Sequence, residues 1–552
     1  MMPPGTGTST RRVRSVRAAG RTAGMLLLGV LGAGPGCTAP VRTAGTAVMA
    51  SGTDLESGNP LVTVHPLSRQ VQRHALFVTL VRLDSALQPA PYFARCWTWD
   101  ADHRAVTLHL DSTLRWHDGH PTTAHDVAFT LEAAADADLG SPRRGDVAVV
   151  RSGQVLERHT IRLEFTEPQA TLPPILAELP LVPRHLLDTV PRSRWRAHPY
   201  ATAPVGNGPF RFAARVAGRQ WRFVRNPDFP AALGGPPKLE LLVVAVVDEA
   251  ATKFAGLVSG ELDLAGVSPT MARLVQQDSA LFLETPPALF STVLAFNTTR
   301  APFDDDRVRR AVSLAVDRQR VVDAAVAGFG TPATSALPPG LPVTPPPVAR
   351  LTPAEREAAH RQADSLLDAA GWRRDATRDA TEGVRTRGGI PLRVTLLTVG
   401  SGEMAVEQLV QADLAARGID VAIRVLELAT FLATVRNPDK SFDVVLTGIP
   451  GDIALGHLSA LFADAQRGGA LDYTGFHTAA LDSALSRARR AAPDQAPAAW
   501  AAVDRQLATG MPVVWLYHAR GVQGRARRLV NVRMDLRGEL VTVARWERQD
   551  AR

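Results

Sequence analysis

From residue 390 onward, strand-like and helix-like runs alternate: IPLRVTLLTV, EQLVQADLAARG, IDVAIRVLEL and FDVVLTGIP. Parallel strands need a long crossover between them, usually a helix. This rhythm therefore restricts the segment to an α/β domain with a partly parallel sheet. The whole chain has 552 residues, too many for one core, so more than one domain is expected. Short alternating runs upstream (ALFVTLVRLD, RAVTLHL, ERHTIRLEFT, RQWRFVRN) add further strands. LLVVAVV (241–247) is the longest apolar run after residue 37, and its length and β-branching make it a buried strand. FAGLVSGELDLAGV (254–267) reads as a helix ended near Gly260, followed by a short strand.

The clearest helical pattern is FDDDRVRRAVSLAVDRQRVVDAAVA, residues 303–327. Asp304 is placed to cap it, with Asp305 and Asp306 in the first turn, where the helix dipole favours acids. Val308, Ala311, Val312, Ala315, Val322 and Val326 form the inward stripe. The Asp305–Arg309 and Asp306–Arg310 spacings read as ion pairs on a solvated face.

The first 36 residues hold Arg11, Arg12, Arg14, Arg17 and Arg21 and no acid, then the short apolar core AGMLLLGVLGA and GPGC ending at Cys37. That is the layout of an export signal, and the apolar core is too short for a membrane span of about 20 residues. Arg11-Arg12 leaves a twin-arginine route open beside the general one. The cysteine after small residues resembles a bacterial lipoprotein processing site, so Cys37 is the candidate lipid anchor. Much of the formal charge of +8 sits in this segment, and no basic stripe with interleaved aromatics follows, so a nucleic-acid partner is not expected. With Cys37 anchored, Cys96 is alone and is expected to be a buried thiol.

Several chemistries lack their residues. The three lysines follow Pro237, Thr252 and Asp439, so no phosphate-binding loop ending Gly-Lys-Ser/Thr exists, and no HExxH, CxxC or GxSxG string occurs. No catalytic residue and no cofactor is assigned. LRWHDGHPTTAHDVAFTLEAA (114–134) crowds His117, His120 and His125 with Asp118 and Asp126. A metal site would use the three histidines and a carboxylate, but their spacing matches no ligand pattern. The preferred reading is an Asp-Gly turn followed by a helix whose Thr123 and Asp126 form a capping box, with no metal.

WHDGHPTTAHDV also resembles a signature of the family 5 extracellular solute-binding proteins, the oligopeptide, dipeptide and nickel receptors of ABC importers. GNGPFRF (206–212) with RNPDF (225–229), the block LAFNTTRAPFDDDRVRRAVSLAVDRQRVVDAAVAGFGTPATSALPPG (294–340), SLLDAAGW, DYTGFHTAALDSAL and MPVVWLY resemble further family passages in the family's order, over roughly residues 60–540. The resemblance implies a two-lobed, class II periplasmic-binding-protein-like α/β fold with an extra small α+β domain and a hinge. The expected layout is a signal at 1–36 and a tether at 37–60. Lobe I then comprises 61–74 with 204–296 and 508–552, the small inserted domain 75–203, and lobe II 297–507.

The implied function is an extracytoplasmic receptor, monomeric and lipid-anchored. It would close on a peptide or peptide-like solute and deliver it to a permease. A nickel or metal-chelate receptor of the same family is the alternative. A secreted hydrolase, or a signalling or chaperone-like use of the fold, stands further off. FDVVLTGIPGDIALGH (442–457) resembles the passage whose Asp takes a peptide's α-amino group, which gives Asp452 that role. Ile453, Ala454 and Leu455 stand where relatives carry aromatic or acidic residues. Asn297, Tyr473 and Thr474 are further candidates for polar contacts in the cleft.

Overall fold

Side-chain alternation organises the second half of the molecule. Along Pro287–Phe296, Val293 and Ala295 enter one core while Leu294 and Phe296 enter another. Val444 and Leu446 against Val445 and Ile449 repeat the pattern, as do Val514 and Leu516 against Val513 and Trp515. A strand with period-two side chains that are apolar on both faces must lie between two layers. These strands accordingly lie in a six-stranded sheet, in the order Gly330–Pro332, Val513–Arg520, Pro287–Phe296, Val444–Pro450, Arg393–Thr398 and Asp420–Val425. Arg393–Thr398 runs parallel to both of its neighbours, and the other pairings are antiparallel, as the alternating rhythm requires.

The computed structural model describes residues 45–549 except 64, 347–348, 375–382, 401–403, 438 and 470. The expected signal, Cys37 and the first part of the tether lie outside these residues. Among the described residues no helix is long and apolar enough to cross a membrane.

A second, seven-stranded sheet has the order Leu281–Glu284, Gln523–Ala526, Leu264–Gly266, Thr46–Ser51, Leu241–Val246, Gln220–Arg225 and Phe210–Val216. One face packs into a core shared with a four-stranded antiparallel sheet, Ala94–Trp99, Ala105–Leu110, Thr160–Phe165 and Val150–Glu157, and with the helix Ala124–Ala135. The other face packs on the helices Ala250–Val258 and Ala272–Gln277. The chain passes between the two large sheets twice, at residues 285–286 and 521–522. The crossings lie side by side: the Gly521 N–H donates to the Pro286 carbonyl at 2.8 Å, and Arg520 donates to the Thr285 carbonyl at 2.9 Å. Two adjacent linkers are where a hinge of this architecture belongs.

The structure alters several expectations. Thr46–Ser51 is not tether but a strand paired parallel with Leu241–Val246 over six residues. Its Thr, Ala and Ser side chains resemble linker composition, yet their small size lets both faces be covered. Pro287–Phe296 and Val513–Arg520, expected in lobe I, pair in the six-stranded sheet. Cys96 is exposed, because a bulge between Ala94 and Cys96 turns it outward.

The 303–327 helix is two helices, Asp306–Ala315 and Arg318–Ala325, and Asp317 caps the second. Asp305, not Asp304, caps the first and pairs with Arg307. Asp306 and Arg310 form the expected pair at 2.8 Å. Arg309 is buried instead of solvated, and its guanidinium donates to the carbonyls of Phe303 and Gly510. A guanidinium can be buried when carbonyls occupy its donors in this way.

Candidate ligand site

The strand Val444–Pro450 ends where Gly451 donates its N–H to the Leu289 carbonyl at 2.7 Å, and the chain then turns through Asp452 into the helix Gly456–Phe462. Leu455 takes a left-handed conformation, φ 58°, to start that helix. Asp452 completes the helix start: one oxygen accepts the Gly456 N–H and the other the His457 N–H, both at 2.9 Å. The second oxygen also lies 3.3 Å from His457 Nδ1. Burial alone would raise the Asp452 pKa, but the His457 side chain and the two backbone N–H groups outweigh it and hold the carboxyl below its ordinary value. Asp452 is thus an ionised carboxylate with its side chain 37% exposed. The aliphatic residues after it are explained by packing, since Leu455 is buried in the adjacent core and Ile453 lies against it.

The other sequence candidates are buried. Asn297 is 1% exposed; its amide donates to the Lys440 and Phe442 carbonyls, and its oxygen accepts from Thr299 N–H and O–H. Its donors and acceptor are all engaged, so it fastens segment 297–299 to 440–442. Thr474 is also 1% exposed; its hydroxyl accepts the Phe476 N–H and its carbonyl accepts from Thr298. Tyr473 is buried in the same region, and burial raises its pKa. Asn297 and Thr474 thus tie segments 297–299, 440–442 and 474–476 together within the lobe.

Residues that the sequence did not single out stand near Asp452. In the small domain, Arg143 lies 2.8 Å from Glu178 and 3.0 Å from Asp146, and Arg69, on the preceding helix Pro66–Val71, lies 3.4 Å from Glu178. Burial raises the Asp146 pKa; Arg143 opposes this, while the charges of Glu178 and Asp452 add to it. The acid of the six-stranded lobe and the acid of the small domain therefore share one electrostatic field. Three carboxylates, Asp146, Glu178 and Asp452, stand with three guanidiniums, Arg69, Arg143 and Arg73, whose charge also meets Glu178. The acids of the small domain are thus answered by guanidiniums, and Asp452, ionised and partly exposed, is the carboxylate of the group with no arginine on it among the described residues. The charge-rich RRGD (143–146) was the only hint of this group in the sequence.

At the carboxyl ends of Thr46–Ser51 and Leu264–Gly266 lies a cavity of about 270 Å³ lined by His65, Gln70, Lys253, Gln523 and Glu539, among others. Ligands of open α/β sheets bind at such strand ends. Glu539 accepts from Gln523 at 2.8 Å, and burial pushes its pKa up. The cavity offers amide groups for hydrogen bonding and an ammonium, Lys253, for an anionic group.

Behind Asp452, His518 is buried: Nδ1 lies 2.8 Å from Ser291 Oγ and Nε2 3.2 Å from the Ser335 carbonyl. Burial lowers its pKa to about 4, the Ser335 carbonyl opposes this, and the nearby His457 adds to the lowering. The neutral ring donates from Nε2 to Ser335 and accepts the Ser291 hydroxyl at Nδ1.

Comparison with known proteins fits this architecture. The model of the bacterial extracellular solute-binding proteins, family 5 (middle region) matches residues 88–461. A protein of Brucella ovis named as a peptide-binding protein of an ABC transporter is 26% identical over 411 residues, covering 72% of each chain. The nickel-binding periplasmic protein of Escherichia coli is 26% identical, covering 63% of this chain and 65% of its own. The solved structure of the oligopeptide-binding protein AppA of Bacillus subtilis with a nonapeptide superposes with a TM-score of 0.74 at 21% identity, covering 92% of this chain and 99% of that one. The match spans more than half of the sequence and the fold agrees over nearly all of the described chain, so the protein belongs to the family 5 extracellular solute-binding proteins, the extracytoplasmic receptors of ABC importers.

Proposed function

We propose that this protein captures peptides or peptide-like solutes by their α-ammonium group and delivers them to the permease of an ABC importer. The observation that carries this reading is the ionised, partly exposed Asp452 carboxylate, which also lies in the field of Asp146 of the small domain. An ammonium placed there pairs with Asp452 and is also attracted by Asp146, so that two parts of the molecule contribute to holding it. It thereby favours the closed arrangement, as differential binding requires. The protein acts as a binding protein and not an enzyme, works as a monomer, and is held to the membrane through a lipid on Cys37.

The test is to purify the full chain, release its bound solute by denaturation and identify it by mass spectrometry. Calorimetry then compares a peptide with a free N-terminus and the same peptide N-acetylated. Recovery of short peptides, and a loss of tenfold or more on acetylation, supports the reading. Equal affinity for both peptides removes the ammonium role of Asp452. Absence of peptides, with nickel found by elemental analysis, replaces the solute by a metal chelate, as for the Escherichia coli relative.

A further inference from the structure

The histidine-rich turn at 114–126 places groups together that its spacing does not reveal. Trp116 N–H donates to the His120 carbonyl at 2.7 Å and Gly119 N–H to the Trp116 carbonyl at 2.9 Å, closing a tight turn with Gly119 at φ 91°. His117 points inward from it, with Nε2 3.0 Å from the Gly208 carbonyl, while Asp118 and His120 point out. Thr123 and Asp126 form the capping box of Ala124–Ala135, and Asp126 has a second partner: its other oxygen accepts the Arg184 N–H at 3.0 Å. That bond docks the segment 184–187 beside the turn. His185 Nε2 consequently sits 2.7 Å from Asp118 Oδ2, while His120 Nδ1 sits 3.2 Å from Asp118 Oδ1. The two imidazoles stack with centroids 4.1 Å apart and 24° between planes.

We infer that Asp118, His120 and His185 form a surface site for a divalent transition-metal ion such as Zn²⁺, apart from the solute site and independent of the proposal above. The three donor atoms lie within 4.8 Å of one another. Zinc–nitrogen and zinc–oxygen bonds of about 2.0–2.2 Å are reached when these side chains rotate towards a common centre. Two imidazoles and one carboxylate suit Zn²⁺, Cu²⁺ or Ni²⁺, whereas Mg²⁺ and Ca²⁺ prefer oxygen donors. His185 binds through Nε2 with its proton on Nδ1, and His120 through Nδ1 with its proton on Nε2. Each nitrogen that faces Asp118 thus exchanges a proton for the ion. Hydrogen bonds from both flanking segments hold the donors in place, and the remaining coordination positions open to solvent.

The experiment uses the full chain without a histidine tag. Equilibrium dialysis against Zn²⁺ compares it with the His120→Ala/His185→Ala double variant, and Co²⁺ titration is followed by visible absorption. The wild-type chain is expected to bind one more Zn²⁺ per molecule than the double variant, to gain Co²⁺ absorption bands the variant lacks, and to ignore Mg²⁺ at the same concentration. Asp118→Asn, which keeps an oxygen for the turn, is expected to weaken Zn²⁺ at least tenfold and serves as second variant if the double one fails to fold. Equal Zn²⁺ stoichiometry and equal Co²⁺ spectra in wild type and variants overturn the site.

Discussion

Asp452 and His457 are joined twice: one carboxylate oxygen of Asp452 accepts the His457 N–H at 2.9 Å and lies 3.3 Å from His457 Nδ1. The same carboxylate therefore starts a helix and presents charge. These two roles respond differently to substitution. Asp452→Asn keeps one of the two helix-starting acceptors and loses the charge, so a stability loss of under about 1 kcal/mol is expected while affinity for a free-amine peptide falls tenfold or more. Asp452→Ala loses both, and is expected to cost a further ~1 kcal/mol of stability. Calorimetry and thermal melts on both variants check this. Unchanged peptide affinity in both leaves Asp452 a helix-starting residue only.

Arg490, at the end of the helix Ala479–Arg490, lies 2.6 Å from Glu167 of the loop after Thr160–Phe165, and so ties the six-stranded lobe to the small domain. The pair is partly exposed, and such pairs contribute at most about 1 kcal/mol. Arg490→Ala is expected to weaken solute affinity no more than about fivefold, and the difference from wild type is expected to shrink in high salt as screening rises. Titrations at low and high ionic strength test it; a salt-independent difference removes the electrostatic explanation.

His117 is half-buried and His518 buried, and burial lowers each to a pKa of about 4 against an ordinary 6.5, their carbonyl partners notwithstanding. Because the folded pKa is depressed, the unfolded chain takes up protons first as the pH falls. The stabilising contribution is complete above about pH 6.5 and is lost progressively towards pH 4. The melting temperature is expected to fall steadily through this window, and less steeply in a His518→Gln variant. A flat profile between pH 6.5 and 4.5 contradicts the burial of neutral rings.

Gly206 lets two backbones meet. A Cβ there would lie 2.0 Å from the Leu76 carbonyl oxygen, with no flexible side chain to yield. Gly206→Ala is expected to destabilise the fold by about 3 kcal/mol or more. Gly218→Ala has open space but a φ of 66°, and is expected to cost about 1–2 kcal/mol. Denaturant melts of the two variants give the comparison, and the reverse order refutes the contact argument.

Local chemistry made much of the architecture legible. The two-faced apolar run at 241–247 became a central strand, because only such a position buries both of its faces. The Thr123–Asp126 box became a helix start because its hydrogen bonds span only three residues. Family motifs then named the class of molecule, and they occur in helix starts, turns and strand ends that the fold itself needs.

Long-range placement decided the remainder. Asn297 and Thr474 are polar residues in motif segments, yet they are consumed by partners far along the chain, at 440–442 and at 298. Thr46–Ser51 carries linker-like composition and becomes a strand only because Leu241–Val246 pairs with it. His120 acquires His185 as a neighbour through Asp126 docking Arg184, a contact 58 residues long in sequence. The sequence by itself determined most strands and helices, the Thr123–Asp126 helix start and the family, since these depend on side-chain period and hydrogen bonds within a few residues. Which polar groups remain available to a solute or an ion was decided only by the tertiary structure. A donor or acceptor is free only when no distant segment reaches it first, and that depends on how the sheets and their connecting segments pack.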